Sequence, residues 1–241
     1  MSEGYSFSGY HEYSLKESTE INLKQKKICI LRHDVDYSIE KAVDMAEFEA
    51  SEFDGAIKAV YFILLNTDFY NVFSTRYSDS LKRIITLGHE VGLHFDETKY
   101  SLNENVEEYI KYIKKEVDIL SAAVDIPVKT VSMHRPSQFV LKANISIPGI
   151  INSYSQQFFR KFKYLSDSRH NWCENVEDLV LSGEFKKIHL LTHPFWYTTE
   201  KDTCRNKLFH FISAGNKNRY INMNDNFKNL QEFISSDDFD K

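Results

Sequence analysis

Seven short, largely apolar runs recur along the 241 residues, and they constrain the fold more than any other feature of the sequence. The runs contain β-branched residues and are apolar at consecutive positions rather than at alternating ones. Near-continuous apolarity over roughly four to eight residues is typical of strands buried on both faces, as in a parallel sheet. The runs occupy residues 27–31, 59–65, 90–94, 130–134, 149–155, 163–168 and 187–193.

Helical patterns separate several of these runs. Residues 38–51 begin with Ser38, a favourable N-cap residue, and carry apolar side chains at near-helical spacing. Residues 78–87 end before Gly88, and residues 103–123 carry one apolar stripe. Strands that alternate with helices predict an α/β protein with right-handed crossovers. We expect one domain over residues 1–241, with an N-terminal extension at 1–25 and a helical C-terminal tail at about 201–241.

Charge and cysteine content exclude several classes of protein. The net charge of -5 gives no basic surface, so nucleic acid is not an expected partner. The three cysteines, at positions 29, 173 and 204, can form neither a disulfide framework nor a four-thiolate zinc site. The first residues lack the pattern of a signal peptide, and no run approaches the roughly 20 apolar residues of a membrane helix. We therefore expect a soluble, cytoplasmic protein without a membrane span, and the sequence leaves its oligomeric state open.

Polar side chains follow five of the apolar runs at the point where each run ends. Because ligands of parallel α/β folds bind at the carboxyl ends of the strands, these side chains are the candidates for chemistry. Their concentration at one end of the strands predicts an enzyme site and suggests a metal. The candidates are Asp34, Asp36, His94, Asp96, His134, Arg135, Asp167, Arg169 and His193.

Asp34 and Asp36 are separated by two positions, so both side chains project from the same face of an extended chain. Two carboxylates this close repel each other unless a cation or a shared proton lies between them. A metal bound to one, with the other acting as a base, would relieve the repulsion. The alternative is a loop or N-cap pair that leads into the helix at Ser38. His33 is expected to face away from the pair.

His94 and Asp96 have the same spacing, and imidazole with carboxylate is a normal set of zinc ligands. A structural, hydrogen-bonded histidine is the alternative for His94. Arg135 could orient a carboxylate through its fork of donors, or could form a surface salt bridge. His193 ends a strongly apolar run, which suits an acid or base imidazole.

The motifs, taken in order, resemble those of a known enzyme family. They are Asp-x-Asp, Gly-His-Glu-Val-Gly-Leu-His, Arg-Pro, Asp-Ser-Arg-x-x-Trp and Leu-x-His, between residues 28 and 197. This series resembles the polysaccharide deacetylases of carbohydrate esterase family four (NodB-type). It is most similar to the "RHDVD" branch, often found in the biosynthesis of surface polysaccharides such as lipopolysaccharide. The resemblance implies a distorted (β/α)7 barrel, a divalent metal that is commonly zinc, and hydrolysis of an N-acetyl group from an amino sugar.

The resemblance also implies a role for each matching residue. Asp34 corresponds to the general base, Arg135 to the arginine that holds this base, and His193 to the general acid. Asp36 and His94 correspond to metal ligands. Asp167, Arg169 and Trp172 correspond loosely to the motif that shapes the substrate site and helps to set the acid histidine.

One position departs from the family pattern. A second metal-binding histidine is usual four residues after the first, and here that residue is Thr98. A threonine hydroxyl is a poor zinc ligand, so Asp96 or His134 would have to replace it. We expect a metal-dependent hydrolase with an amino-sugar or glycan substrate. The alternative is a catalytically silent glycan-binding protein that has lost a metal ligand.

Overall fold

The computed structural model describes residues 4–19 and 26–239. The chain divides into two compact units, Met1–Tyr197 and Thr198–Lys241. The expectation of a single domain over the whole chain stays a prediction. Residues 1–3 and 20–25 of the expected N-terminal extension lie outside the described residues, as do the last two residues of the tail.

The first unit alternates strands with helices. The strands are β1 (Ser6–Phe7), β2 (Ile28–Val35), β3 (Ala59–Leu64), β4 (Glu90–Phe95), β5 (Thr130–Met133), β6 (Ile151–Asn152), β7 (Lys163–Ser166) and β8 (Lys187–Thr192). The α-helices are α1 (Tyr10–Thr19), α2 (Ile39–Glu52), α3 (Thr75–Thr86), α4 (Val106–Val124), α5 (Gln138–Ala143), α6 (Gln156–Phe159) and α7 (Val176–Ser182). Short 3-10 helices at Glu97–Lys99, Ser168–His170 and Pro194–Trp196 follow β4, β7 and β8.

Seven strands follow one another in the sheet in the order β6-β5-β4-β3-β2-β8-β7, and all of them are parallel. The short strand β1 also pairs with β2, outside this order. Among the described residues no pairing joins β6 to β7, so the sheet does not close there. The expected α/β class and the distorted (β/α)7 barrel are therefore confirmed. Because the strands are parallel, their carboxyl ends lie at the same edge of the sheet.

The two faces of the sheet pack against different layers. On the outer face, alternate residues such as Leu31, Tyr61 and Ile63 join the large apolar core beneath the helices. On the inner face, Ile30 and Phe62 join a smaller aromatic cluster that includes Tyr10, Tyr13, Phe158 and Phe162. Helix α1, from the expected N-terminal extension, thus fills part of the barrel interior. Strands buried on both sides account for the continuous apolar runs.

The helix predictions are close to the observed bounds. Ser38 caps α2, and its hydroxyl accepts a hydrogen bond from the Lys41 backbone N–H at 3.2 Å. Helix α4 begins three residues later than predicted because the Asn105 side chain caps it. Helix α3 begins three residues earlier than predicted, after Ser74.

Two strand predictions differ more from the structure. Strand β2 continues four residues beyond the predicted end, through Arg32 and Asp34, because these charged side chains turn into the barrel and are buried there. Strand β6 has two residues, not the predicted seven.

The second unit is mostly helical. It consists of α8 (Cys204–Asn224) and two short 3-10 helices, Leu230–Glu232 and Ser236–Phe239. Tyr220 is buried, and its ring centroid lies 6.1 Å from that of Phe239. None of the helices in the described residues is both long and apolar enough to cross a membrane.

Candidate metal centre and active site

Three side chains from neighbouring strand ends meet at the carboxyl edge of the sheet. They are Asp36 after β2, His94 at the end of β4 and His134 after β5, and we call them the metal triad. His134 Nδ1 lies 3.1 Å from His94 Nε2, and Asp36 Oδ1 lies 3.3 Å from each of these nitrogens. Each residue therefore turns one possible ligand atom toward the same point.

The triad fits a divalent metal. Ligand atoms at about 2.0–2.1 Å from a tetrahedral zinc ion are about 3.3 Å apart, which matches the observed spacing. Asp36 Oδ1 is buried and has no hydrogen-bond partner among the described residues, as expected for an atom that binds a cation. His94 Nδ1 is also buried without a partner in that part of the chain, so packing rather than a hydrogen bond holds this ring.

The charge of Asp36 is also set by the triad. Burial by itself would raise the pKa of the Asp36 carboxyl, but the neighbouring imidazoles of His134 and His94 hold it far below its ordinary value. Asp36 is therefore ionised, which is the form that binds a metal.

Asp34 is paired with an arginine on its own strand. Arg32 Nη2 donates to both carboxylate oxygens of Asp34, at 2.6 Å and 2.9 Å, and Arg32 Nε donates to Oδ1 at 3.2 Å. Burial opposes ionisation of Asp34, but the Arg32 charge holds the pKa of this carboxyl below its ordinary value. Asp34 Oδ2 lies 3.5 Å from His94 Nε2, so the carboxylate stands beside the metal triad.

The expected contact between Arg135 and Asp34 is wrong. Strand β5 ends at Met133, and the chain turns before Pro136, which leaves the Arg135 side chain exposed. Arg135 forms no hydrogen bond or ion pair with any residue in the described ranges. Arg32 occupies the place that the motif comparison gave to Arg135.

His193 is held by Asp167. His193 Nδ1 lies 2.6 Å from Asp167 Oδ1, and the His193 backbone N–H donates to Asp167 Oδ2 at 3.0 Å. The Tyr197 hydroxyl donates to the same oxygen at 3.0 Å. Burial lowers the pKa of His193, but the hydrogen bond to Asp167 and the charge of Asp34 raise it above its ordinary value. His193 Nε2 lies 3.9 Å from Asp36 Oδ2, next to the triad.

The three residues of the fourth motif have different environments. Asp167 is only 2% exposed and is hydrogen-bonded to His193, and its contact with substrate stays a prediction. Arg169 is exposed and has a left-handed backbone with a φ of 60°. Trp172 is 36% exposed and interacts with the Tyr197 hydroxyl. Substrate contact by Arg169 and Trp172 stays a prediction.

Asp96 does not belong to the metal triad, which corrects one of the two expected substitutes for the missing histidine. The strand ends at Phe95, and Asp96 caps the 3-10 helix that follows. Its Oδ1 accepts hydrogen bonds from the Thr98 backbone N–H at 3.0 Å and from the Thr98 hydroxyl at 2.7 Å. Asp96 and Thr98 are thus hydrogen-bonded to each other, and the third possible ligand atom beside Asp36 and His94 belongs to His134.

Sequence reasoning missed Arg32, although the alternation that paired Asp34 with Asp36 also puts Arg32 on the same face of β2. The same alternation correctly predicted that the His33 side chain lies on the other face of β2. There His33 Nδ1 lies 2.6 Å from Thr192 Oγ1, and His33 Nε2 lies 3.0 Å from Glu49 Oε1. Glu49, in α2, gave no signal that sequence reasoning used.

No protein-family model and no curated protein matches the sequence. Solved structures do match. The chitin deacetylase of the fungal pathogen Colletotrichum lindemuthianum is 16% identical, with a TM-score of 0.46 over 79% of this chain and 83% of that chain. A family 4 carbohydrate esterase from Bacillus anthracis is 18% identical, with a TM-score of 0.42 over 80% and 78% of the two chains.

A third match is a mutant of a pseudoenzyme of the same family with restored enzymatic activity. It is 15% identical, with a TM-score of 0.42 over 80% of this chain and 64% of that chain. Carbohydrate esterase family four, named for the second and third of these structures, is the family that the motifs resemble.

Proposed function

We propose that the protein is a metal-dependent hydrolase that removes an N-acetyl, or another small N-acyl, group from an amino sugar. The observation that carries this proposal is the metal triad of Asp36, His94 and His134, with Asp34 and His193 next to it. Two imidazole nitrogens and one carboxylate oxygen leave a coordination position open, as in catalytic zinc sites. Zinc is therefore the ion that we propose, and the five motifs in order support the amino-sugar substrate.

The residues divide the chemistry between them. When bound, a divalent ion supplies a Lewis acid for the amide carbonyl and lowers the pKa of a water molecule to about 7. Asp34 takes the proton from the attacking water, since its carboxylate is ionised and lies beside the triad. His193 donates a proton to the nitrogen of the departing amine as the C–N bond breaks. Asp167 keeps His193 in the orientation and tautomer that this transfer needs.

Aromatic side chains border the proposed reaction site. Tyr37 follows the ligand Asp36 in sequence, and its ring centroid lies 5.3 Å from that of Phe69 and 5.0 Å from that of Phe195. The ring centroid of Phe195 in turn lies 4.8 Å from that of Trp196. Half of the Phe69 side chain is exposed. Such rings can pack against the apolar face of a sugar, which supports a glycan substrate.

Metal analysis combined with one ligand variant tests the proposal. The protein, purified and supplied with zinc, should hold one equivalent and release acetate from N-acetylated amino sugars. Loss of a residue that only orients a metal ligand weakens metal binding about 10–100-fold. Because His134 is proposed as a ligand itself, His134→Ala should weaken zinc binding by more than about 100-fold. His210→Ala is the matched control, because this exposed histidine lies in α8 and outside the metal triad.

Equal zinc affinity in the two variants would remove His134 from the site. A wild-type protein that binds glycans but neither zinc nor acyl amides would instead be the silent glycan-binding protein considered above.

A further inference from the structure

One arginine is wholly enclosed in the barrel. The Arg32 side chain is 0% exposed and lies on the inner face of β2, two residues before Asp34. A buried guanidinium destabilises a fold unless charged and polar partners surround it. We propose that Arg32 is the positioning residue of the active site: it fixes the Asp34 carboxylate and ties it to the strand that leads to His134. This inference rests on the proposed function.

The contacts of Arg32 reach three parts of the sheet. Besides the three hydrogen bonds to Asp34, Nη2 donates to the Ser132 hydroxyl and Nη1 donates to the Ser153 hydroxyl at 3.1 Å. Ser132 lies in β5, two residues before His134, and Ser153 directly follows β6. Both serines are 0% exposed. Through one side chain, the proposed base on β2 is therefore linked to the strand that supplies the third metal-ligand atom.

The space around Arg32 is also specific. Its guanidinium carbon lies 5.1 Å from the centroid of the Phe62 ring and 5.3 Å from that of Tyr154, so both rings can stabilise the cation. The Phe62 ring has room only because residue 92 is a glycine. A Cβ at Gly92 would lie 2.6 Å from the Phe62 Cδ1 and Cε1 atoms. The second motif thus contributes a glycine that supports the arginine as well as the ligand His94.

The geometry explains why an arginine is needed here. Its planar fork reaches both oxygens of Asp34 and still has donors for the two serines, whereas a lysine has one ammonium group that cannot reproduce this arrangement. With both oxygens held, the carboxylate cannot rotate away from its place 3.5 Å from His94 Nε2. A misplacement of about 1 Å at a reacting group can reduce a rate about 100-fold.

Arg32→Lys and Arg135→Lys form a matched pair that tests the proposal, because one arginine is enclosed on Asp34 and the other is exposed. In the full-length, zinc-loaded protein, Arg32→Lys should lower kcat about 100-fold and leave KM and the zinc content unchanged. Arg135→Lys should keep both kinetic constants. Crystal structures of the two zinc-loaded variants give a second readout: Asp34 should turn away from His94 only in Arg32→Lys.

Ser132→Ala provides a test if the lysine variant fails to fold, since it removes one contact and keeps the arginine. It should lower kcat less than Arg32→Lys does, again at constant KM. The proposal is overturned if Asp34 keeps its position and kcat is unchanged in Arg32→Lys, or in Ser132→Ala where only that variant folds. It is also overturned if Arg32→Lys changes KM instead of kcat, or if kcat falls as much in Arg135→Lys as in Arg32→Lys.

Failure of the proposed function would look different. In that case the wild-type protein would hydrolyse no amino-sugar amide. The crystal structures would still decide the role of Arg32: an Asp34 that moves in Arg32→Lys but not in Arg135→Lys supports it, and an Asp34 that stays in both excludes it.

Discussion

The Asp167 carboxylate accepts three hydrogen bonds, and two of them come from His193. One involves the imidazole Nδ1 and the other the backbone N–H, while the third comes from the Tyr197 hydroxyl. This arrangement leaves His193 Nε2 free to turn toward Asp36. An ionised acceptor on Nδ1 both fixes the tautomer and favours the protonated ring, which is the form that an acid catalyst needs.

Asp167→Asn should therefore lower kcat by about 10²–10⁴-fold, the range that a positioned acid or base contributes. The amide keeps the volume of the carboxylate but lacks its charge. Zinc content should not change, because Asp167 is not in the metal triad. Steady-state kinetics and metal analysis of the purified variant measure both quantities.

Tyr197→Phe is the control for this prediction. It removes one neutral donor from Asp167 Oδ2 and leaves both contacts with His193, so its kcat should fall far less. Equal losses in the two variants would mean that the effect comes from packing around Asp167 and not from its charge.

At the same scale, strand alternation explains which site residues could be predicted. It put Asp34 and Asp36 on one face and turned His33 to the other, as observed. It could not predict Asp96 or Arg135, because alternation ends where the strand ends. After Phe95 the chain forms a 3-10 helix that Asp96 caps, and after Met133 it turns toward Pro136.

At the scale of elements, the outer face of β2 is joined to a helix and to a second strand. His33 contacts Glu49 of α2 and Thr192 of β8, and the Tyr61 hydroxyl of β3 donates to Glu49 Oε2 at 2.8 Å. His33 and Thr192 are also register partners, directly before the site residues Asp34 and His193. Glu49 of α2 thus joins β2 to β3, and through His33 it is linked to β8, the strand that precedes the proposed acid.

Glu49→Gln should reduce the free energy of unfolding by about 1–3 kcal/mol at pH 7, since buried hydrogen bonds to a charged group are lost. Burial raises the pKa of Glu49, but the charge of His33 and its hydrogen bond lower it below the ordinary 4.5. When a carboxyl has a lower pKa in the folded protein than in the unfolded chain, it stabilises the fold fully at any pH above its unfolded pKa. This stabilisation is lost as the pH falls through the folded pKa. The difference between wild type and variant should therefore stay constant from pH 7 to about 5.5 and shrink below about 4.5.

Denaturant unfolding at several pH values measures this difference. Glu47→Gln is the matched control on the same helix: Glu47 forms an exposed ion pair with Arg83, with 49% of its side chain accessible, and should contribute about 0–1 kcal/mol. A difference for Glu49→Gln that grows toward acid pH would mean that the pKa of Glu49 is raised, not lowered, in the folded protein.

Element types were predictable from local patterns, but some bounds were not. Continuous apolarity identified the strands, and Ser38 identified the start of α2. The predicted end of β2 was too early because charged residues normally end a buried strand, whereas here Arg32 and Asp34 neutralise each other inside the barrel. Such pairing depends on tertiary structure, which local sequence does not report.

At the scale of the whole molecule, the order of the strands creates the site. Strand β2 lies between β3 and β8, so an early strand and the last of the described strands are neighbours. The alternation of strands and helices predicted a parallel sheet and a site at its carboxyl edge. The pairing of β2 with β8, which brings Asp36 to His193, joins segments about 160 residues apart, and no local pattern in the sequence encodes it.

The division into two units leads to a prediction about the shorter chain. The metal triad, Arg32, Asp34, Asp167 and His193 all lie in the unit Met1–Tyr197. The three apolar clusters consist of residues of this unit alone. A protein that ends after Tyr197 should therefore fold cooperatively and bind one equivalent of zinc, as judged by circular dichroism, thermal unfolding and metal analysis.

A cut after Ser182 is the control, because it removes β8 from between β2 and β7. Losing an interior strand exposes two rows of unpaired backbone groups and opens the apolar core, so this shorter protein should not fold. If the chain that ends at Tyr197 also fails to fold, the second unit is a required part of the fold, and this outcome would support the expected single domain. If it folds and binds zinc, the metal site needs only the barrel.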